Sequence, residues 1–183
     1  LLPAPLTPEQ AELVHAQQVE QILEILKESF DYIIIDTAPT YNDITLKVLE
    51  TSDRILLVLN QDLTTLRHTK TALDILKTFN YMSKARLVLN QYGKGGLKLG
   101  EIEKVLKLPM DAMVPEDTNT VKNSINKGTP FVISQSQGQL TLAIKDMANK
   151  LGLSVEEKVK EPAANNSVFT KLLFKKRSTS LGS

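Results

Sequence analysis

Polar side chains that can bind a metal ion or a nucleotide base follow the apolar runs of this sequence. Asp36, Gln61, Asn90 and the pair Glu116-Asp117 each come at the end of such a run or directly after it. A carboxylate can hold Mg2+, usually through water, and an amide that both donates and accepts hydrogen bonds suits the edge of a purine base. Because ligands of parallel sheets gather outside the carboxyl ends of the strands, the pattern predicts a metal and nucleotide site at one sheet edge.

These side chains require strands that run parallel and end together. The residue types predict buried strands over residues 32–36, 54–60, 86–90 and 112–115. They predict helices over residues 44–49, 66–79, 99–106, 120–127 and 140–151, after an initial helix that begins with Thr7 as its N-cap and continues through the apolar residues up to Leu26. Strands that alternate with helices predict an α/β fold, in which a parallel, doubly wound sheet is flanked by helices.

Two of the polar residues have a purely structural alternative. Asp36 could cap the helix that follows it, and Asn90 could tie down the glycine-rich loop of residues 93–96. That loop lacks the Gly-Lys-Ser/Thr ending and the helix entry of a phosphate-binding loop, so we interpret it as a plain flexible loop. No G-x-x-x-x-G-K-[ST] sequence precedes Asp36, and the chain therefore shows no phosphate cradle of its own.

The composition is that of a globular protein, and it limits the partners. The 183 residues carry 22 basic and 21 acidic side chains, and the net charge of +1 gives no general support for DNA binding. The sequence has no cysteine and two histidines, so a metal would have to bind through oxygen. We expect one domain over residues 1–153, a solvated linker over 154–167 and a separate basic tail over 168–183.

The tail combines large apolar and basic side chains and contains no acid. The residues that we expect to contact an anionic membrane are Phe169, Lys171, Leu172, Leu173, Phe174, Lys175, Lys176 and Arg177. A short interfacial, amphipathic helix of this kind places its apolar side chains at the acyl boundary and its lysines toward anionic lipid. The alternative is a disordered basic tail. A dimer that presents two copies of the tail would gain avidity.

Six short motifs occupy residues 31–39, 53–58, 62–67, 88–90, 114–117 and 126–130. In their order and spacing they resemble the deviant Walker A ATPases of the ParA/MinD group, and within that group the TadZ/CpaE type of pilus-assembly localisation proteins. The resemblance covers about residues 1–151 and implies a P-loop NTPase-like fold. It makes this chain look like the C-terminal portion of such an ATPase domain.

The resemblance also implies roles for single residues. Asp36 would bind the metal as the Walker B carboxylate, and Asn90 would contact adenine. The edge of the nucleotide would be formed by Pro115, Glu116 and Asp117, and switch II by Thr37, Ala38 and Pro39. No residue of this chain would itself be catalytic, because we expect the Walker A loop and its lysines upstream of Leu1.

On the same resemblance, the intact protein would bind ATP and Mg2+, form a homodimer in the ATP state and hydrolyse ATP slowly. It would be a cytoplasmic spatial regulator, peripheral at the inner face of the cell membrane, that positions pilus or secretion assembly proteins. The chain alone should not hydrolyse ATP, since holding and neutralising the phosphates is nearly all of phosphoryl-transfer catalysis. Two alternative hypotheses remain: a non-enzymatic localisation or scaffold module that retains the fold, and a receiver-like signalling domain.

Overall fold

The computed structural model describes residues 1–3, 5 and 7–153, and these divide into two compact units. The first unit runs from Leu1 to Ser52, and the second begins at Asp53. Our predictions for the linker over residues 154–167 and for the tail over residues 168–183 lie outside the described residues. In the described part of the chain, no helix is long and apolar enough to span a bilayer.

The regular structure of the first unit consists of the helices α1 (Pro8–Ala11), α2 (Ala16–Ser29) and α3 (Asp43–Thr51). Thr7 caps α1 as predicted, because its side-chain oxygen accepts from the backbone N–H of Gln10 at 3.4 Å. The predicted continuous helix is wrong, since the chain leaves α1 after one turn and restarts with His15 as the N-cap of α2. α2 and α3 pack together, and the Lys47 ammonium of α3 contacts the Glu20 carboxylate of α2 at 3.3 Å.

The predicted strand over residues 32–36 is wrong. Residues 31–41 form neither helix nor strand and take part in no hydrogen bond among the described residues. Ile34 is 92% exposed and Ile35 is 37% exposed, so neither side chain is buried in a core. The run has the β-branched residues that strands favour, but a strand also needs a neighbour that satisfies its backbone N–H and C=O groups.

Three parallel strands form the sheet of the second unit, in the order β1 (Ile55–Leu59), β2 (Ala85–Tyr92) and β3 (Ala112–Pro115). The helices are α4 (Leu63–Thr78), α5 (Leu99–Leu106), α6 (Thr118–Lys127), α7 (Phe131–Ser134) and α8 (Gln139–Lys150), and a 3-10 turn covers Met82–Lys84. The predicted strands over residues 54–60, 86–90 and 112–115 are confirmed, as are the five helices predicted between 44 and 151. The short helix α7 was not predicted, because its four residues are too few to show a helical period.

Alternate residues of β2 face opposite sides of the sheet, and helices cover both sides. Leu87 and Leu89 are buried in one core with residues of α4 and α5, including Leu73 and Ile102. Val88 is buried in a second core with Leu140 of α8. The apolar run of β2 is continuous because both of its faces are covered. The predicted α/β fold, with a parallel, doubly wound sheet, is therefore confirmed.

Candidate functional site

The carboxyl ends of the three parallel strands lie at one edge of the sheet, and polar residues of the second unit gather there. Gln61 follows β1, Asn90 lies near the end of β2, and Glu116 follows β3. Tyr92 pairs with Pro115, and the backbone N–H of Glu116 donates to the carbonyl oxygen of Tyr92 at 3.0 Å. The ends of β2 and β3 are therefore joined, with Asn90 and Glu116 at the same edge.

Asn90 lies in a β-bulge at the end of β2. The pairing of β2 with β3 is irregular between Leu89 and Tyr92, and Gln91 has a φ of 52°, in the left-handed region. Bulges of this kind redirect side chains and are frequent next to functional sites. The Asn90 side chain is half-buried and makes no hydrogen bond among the described residues. Its amide can therefore pair with a ligand without breaking a bond of the fold.

Gln61 ties the glycine-rich loop to the end of β1. Its Nε2 donates to the carbonyl oxygen of Leu97 at 2.9 Å, and its Oε1 accepts from the backbone N–H of Gly93 at 2.8 Å. The carbonyl oxygen of Gln61 also accepts from the backbone N–H of Leu97 at 2.9 Å. The anchoring of this loop, which the sequence analysis considered as an alternative for Asn90, is thus performed by Gln61.

The loop of residues 93–96 is exposed, and its two ends lie close to Gln61 and Glu116. Our interpretation of it as a plain flexible loop stays a prediction. Gly96 has a φ of +74°, and a Cβ at this position would lie 2.3 Å from the carbonyl oxygen of Gln61. A Cβ at Gly93 would lie 3.3 Å from Oε2 of Glu116. The sequence analysis placed Gln61 at the sheet edge but gave it no role. The sequence feature that could have indicated the anchoring role is an amide side chain, which can form hydrogen bonds with the backbone groups of a glycine-rich loop.

Asp117 is the N-cap of α6. Its Oδ1 accepts from the backbone N–H of Thr120 at 2.9 Å, and the hydroxyl and backbone N–H of Thr120 lower the pKa of the Asp117 carboxyl. Asp62 caps α4 in the same way, through the backbone N–H of Thr65 at 2.8 Å. Such caps satisfy N–H groups that have no partner within the helix. The Asp117 carboxylate is therefore engaged in the fold. The Glu116 carboxylate is exposed at the edge, where its Oε1 accepts from the hydroxyl of Thr118 at 3.5 Å.

Asp36 belongs to the first unit, where it is exposed and makes no hydrogen bond among the described residues. The helix after it is capped by Asn42, whose Oδ1 accepts from the backbone N–H of Thr45 at 2.9 Å, so the capping alternative for Asp36 is wrong. The neighbouring segment Thr37-Ala38-Pro39 is exposed as well. Within the described ranges, no group of three or more His, Asp or Glu side chains could hold a metal ion. A single carboxylate still fits Mg2+, which is commonly held by one or two carboxylates together with water and substrate phosphates.

Comparison with known proteins relates this chain to ATP-binding proteins. A family model described as an AAA domain matches residues 5–89. The chain is 25% identical over 181 residues to an uncharacterized ATP-binding protein of Methanocaldococcus jannaschii, with 97% of the chain and 68% of that relative covered. It is also 25% identical over 144 residues to the septum site-determining protein MinD of Synechocystis, with 75% and 53% covered.

Solved structures with a similar fold include a ParA family ATPase from Chlorobium tepidum, with a TM-score of 0.75, 25% identity and coverage of 84% of this chain and 63% of that chain. The protein MinD from Pyrococcus horikoshii, complexed with Mg-ADP, has a TM-score of 0.67 at 20% identity, with 82% and 62% covered. MinD in a complex with MinC from Aquifex aeolicus has a TM-score of 0.66 at 22% identity, with 80% and 63% covered. The present chain thus spans less than two thirds of each of these solved chains.

Proposed function

We propose that this chain is part of an ATP-binding spatial regulator. It has the fold of the ParA/MinD-type P-loop ATPases, and the matching family model and the similar proteins support that family. The full-length protein would bind ATP with Mg2+ and hydrolyse it slowly. Within it, these 183 residues supply the base-binding edge and the metal-binding carboxylate. The phosphate-binding loop would come from sequence that these residues do not include, since no Walker A sequence occurs in them.

One observation carries the nucleotide proposal: the side-chain amide of Asn90 is half-buried at the sheet edge and has no hydrogen-bond partner among the described residues. An amide can donate to a ring nitrogen and accept from an exocyclic amino group, which is the pattern presented by one edge of adenine. The end of β3 is joined to the end of β2 and would place Pro115, Glu116 and Asp117 alongside the same base or its sugar. The exposed Glu116 carboxylate can accept hydrogen bonds from ligand hydroxyl groups.

Asp36 would hold Mg2+ through a water ligand, with Thr37, Ala38 and Pro39 following it as switch II. Mg2+ in such a site neutralises the charge of the β- and γ-phosphates. The exposed carboxylate fits this role because it makes no bond in the fold that metal binding would have to replace.

The cellular role is proposed from the motif resemblance. We infer a TadZ/CpaE-like protein that dimerises around ATP and positions pilus or secretion assembly proteins at the inner face of the cell membrane. The solved complex of MinD with MinC supports the expectation that proteins of this fold act through protein partners. The basic segment from Phe169 to Arg177 would provide membrane contact. The second candidate is a non-enzymatic localisation module with the same fold, and nucleotide binding by the full-length protein distinguishes the two.

Nucleotide binding by the full-length protein tests the proposal. We expect calorimetry to detect Mg-ADP binding that the Asn90→Ala change weakens by about tenfold, since one hydrogen bond to a buried ligand contributes about 1 kcal/mol and an unsatisfied partner costs more. Asn149→Ala, in the exposed last turn of α8, is the matched control and should leave binding unchanged. Asp36→Ala should remove most of the difference in affinity between Mg2+ and EDTA. Equal affinities for the wild type and both site variants would contradict the proposed site.

A further inference from the structure

We propose that Gln61 is a positioning residue that fixes the base-binding edge and thereby sets the preference of the site for adenine over guanine. The inference rests on the proposed nucleotide function and deepens it. Gln61 is half-buried just after the end of β1, whereas Asn90 lies in β2. Its effect on the site has to pass through the glycine-rich loop that separates β2 from α5.

Gln61 anchors the loop through three hydrogen bonds. The Gln61 side chain uses both of its amide atoms, one on the N–H of Gly93 and one on the carbonyl oxygen of Leu97, while its own carbonyl oxygen accepts from the N–H of Leu97. Gly96 lies so close to the Gln61 backbone that only a glycine fits there without displacement. Gly93 at the start of the loop and Leu97 directly after it are therefore both held by Gln61, which follows β1.

The anchored loop constrains the position of Asn90. Beyond Leu89, the last regularly paired residue of β2, the chain is fixed again at Tyr92, whose carbonyl oxygen accepts from Glu116, and at Gly93, which is bound by Gln61. Only Asn90 and Gln91 lie between these fixed points, and Gln91 has the left-handed φ of 52°. A non-glycine residue keeps that conformation only where its surroundings hold it. Loss of the Gly93 anchor would allow the bulge to relax and the Asn90 amide to turn away from its present direction.

The hydrogen bond between Gln61 and Gly93 also constrains Glu116. Gly93 packs against this side chain closely enough that an added Cβ would lie 3.3 Å from its Oε2. The clamp formed by Gln61 and Gly93 thus limits where the Glu116 carboxylate can lie, in addition to fixing the bulge that contains Asn90. Gln61 touches neither base nor phosphate in this account. It acts through the position of the two residues that do.

Two substitutions separate the effect of the Gln61 side-chain hydrogen bonds from the effect of side-chain packing. Gln61→Met keeps the length and approximate volume of the side chain and removes both side-chain hydrogen bonds. Gln61→Glu keeps an acceptor for the N–H of Gly93 but places a second acceptor oxygen against the carbonyl oxygen of Leu97, so one bond is retained and the other is replaced by repulsion. Both variants keep the main-chain bond between Gln61 and Leu97. If the clamp is the mechanism, both variants should lower the preference for adenine, since each of them loses the bond to the carbonyl oxygen of Leu97.

The experiment uses the full-length protein, with ADP and GDP as probes in the presence of Mg2+, and amide hydrogen exchange of the loop as a second readout. We expect the ratio of ADP to GDP affinity to fall about fivefold in Gln61→Met, corresponding to the partial loss of one base hydrogen bond, and to fall in Gln61→Glu as well. We expect the Gly93 amide to exchange faster in Gln61→Met, while amides of the buried core strand β2 keep their protection. Asn90→Ala, measured alongside, reports whether the base contact itself exists.

The outcomes distinguish the positioning role of Gln61 from the base contact made by Asn90. A lower ratio in both Gln61→Met and Asn90→Ala, with faster Gly93 exchange, supports the positioning role. A lower ratio in Asn90→Ala with an unchanged ratio in Gln61→Met overturns the role of Gln61 and leaves the nucleotide site intact. An unchanged ratio in Asn90→Ala, or no ADP binding in any form of the protein, overturns the base contact and the role of Gln61 together. A general loss of protection in β2 would show that Gln61 only stabilises the fold, which also contradicts the proposal.

Discussion

The close approach of Gly96 to Gln61 leads to a sharp prediction for stability. An alanine Cβ at this position would lie 2.3 Å from the carbonyl oxygen of Gln61 and 2.8 Å from its Cβ, at a φ of +74°. Two costs then add. An L-residue in the left-handed region loses about 1–2 kcal/mol relative to glycine, and forcing an extra methyl group into a packed site costs about 1–3 kcal/mol. We therefore expect Gly96→Ala to lower the free energy of unfolding by about 2–5 kcal/mol.

Two other glycines provide matched controls. Gly128 has a similar φ of +60°, but a Cβ there would have no heavy atom within 4 Å, so Gly128→Ala should cost only the conformational part, about 1–2 kcal/mol. Gly100 lies inside α5 with open space at the Cβ position, and Gly100→Ala should stabilise the protein by about 0.5–1 kcal/mol. The difference between Gly96→Ala and Gly128→Ala isolates the collision with Gln61.

Urea unfolding followed by circular dichroism at 222 nm measures these differences, provided that the slope of the transition is the same in all variants. The collision cannot be relieved by rotating a side chain, because the nearest atom belongs to the backbone of Gln61. If Gly96→Ala and Gly128→Ala lost the same stability, within about 0.5 kcal/mol, the close packing of the loop on β1 would be refuted. The argument that the loop is a fixed part of the edge would fail with it.

Two further predictions concern a helix cap and the tail. The backbone N–H of Thr65 holds the pKa of the Asp62 carboxyl below its usual range, so its stabilising effect should be complete above about pH 4 and be lost as the pH falls through the lowered pKa. Asp62→Asn keeps a good N-cap without the charge, and thermal melts from pH 7 to pH 3 should show a smaller acid loss in this variant than in the wild type. Deleting residues 168–177 of the full-length protein should abolish sedimentation with anionic vesicles but not nucleotide binding, and undiminished sedimentation would contradict membrane contact by the tail.

The parts of the fold that could be predicted from sequence are those in which the local pattern and the tertiary context agree. The run from Leu87 to Leu89 is apolar at every position because helices cover both faces of β2, and this alone indicates a parallel, doubly wound sheet. The run from Ile33 to Ile35 is equally apolar and forms no strand in the structure. The difference is the presence of a hydrogen-bonding neighbour, which residue type cannot report.

The candidate site was predictable to a similar extent. The position of Asn90 follows from the end of an apolar run, which sequence alone reveals. The role of Gln61 depends on bonds to Gly93 and Leu97, the latter 36 residues away, and no local pattern encodes which loop will return to the end of β1. The capping of α6 by Asp117, in contrast, could have been predicted, because an Asp directly before a helix is a common N-cap. The sequence analysis assigned Asp117 to the nucleotide edge alone.

The central claim is that the edge formed by the ends of β2 and β3 receives the base of an adenine nucleotide. A crystal structure of the full-length protein grown with Mg-ADP tests it most directly. We predict the adenine within hydrogen-bond distance of the Asn90 amide, with residues 115–117 alongside it. A nucleotide bound with its base away from Asn90, or crystals that contain no nucleotide at saturating Mg-ADP, would contradict the claim.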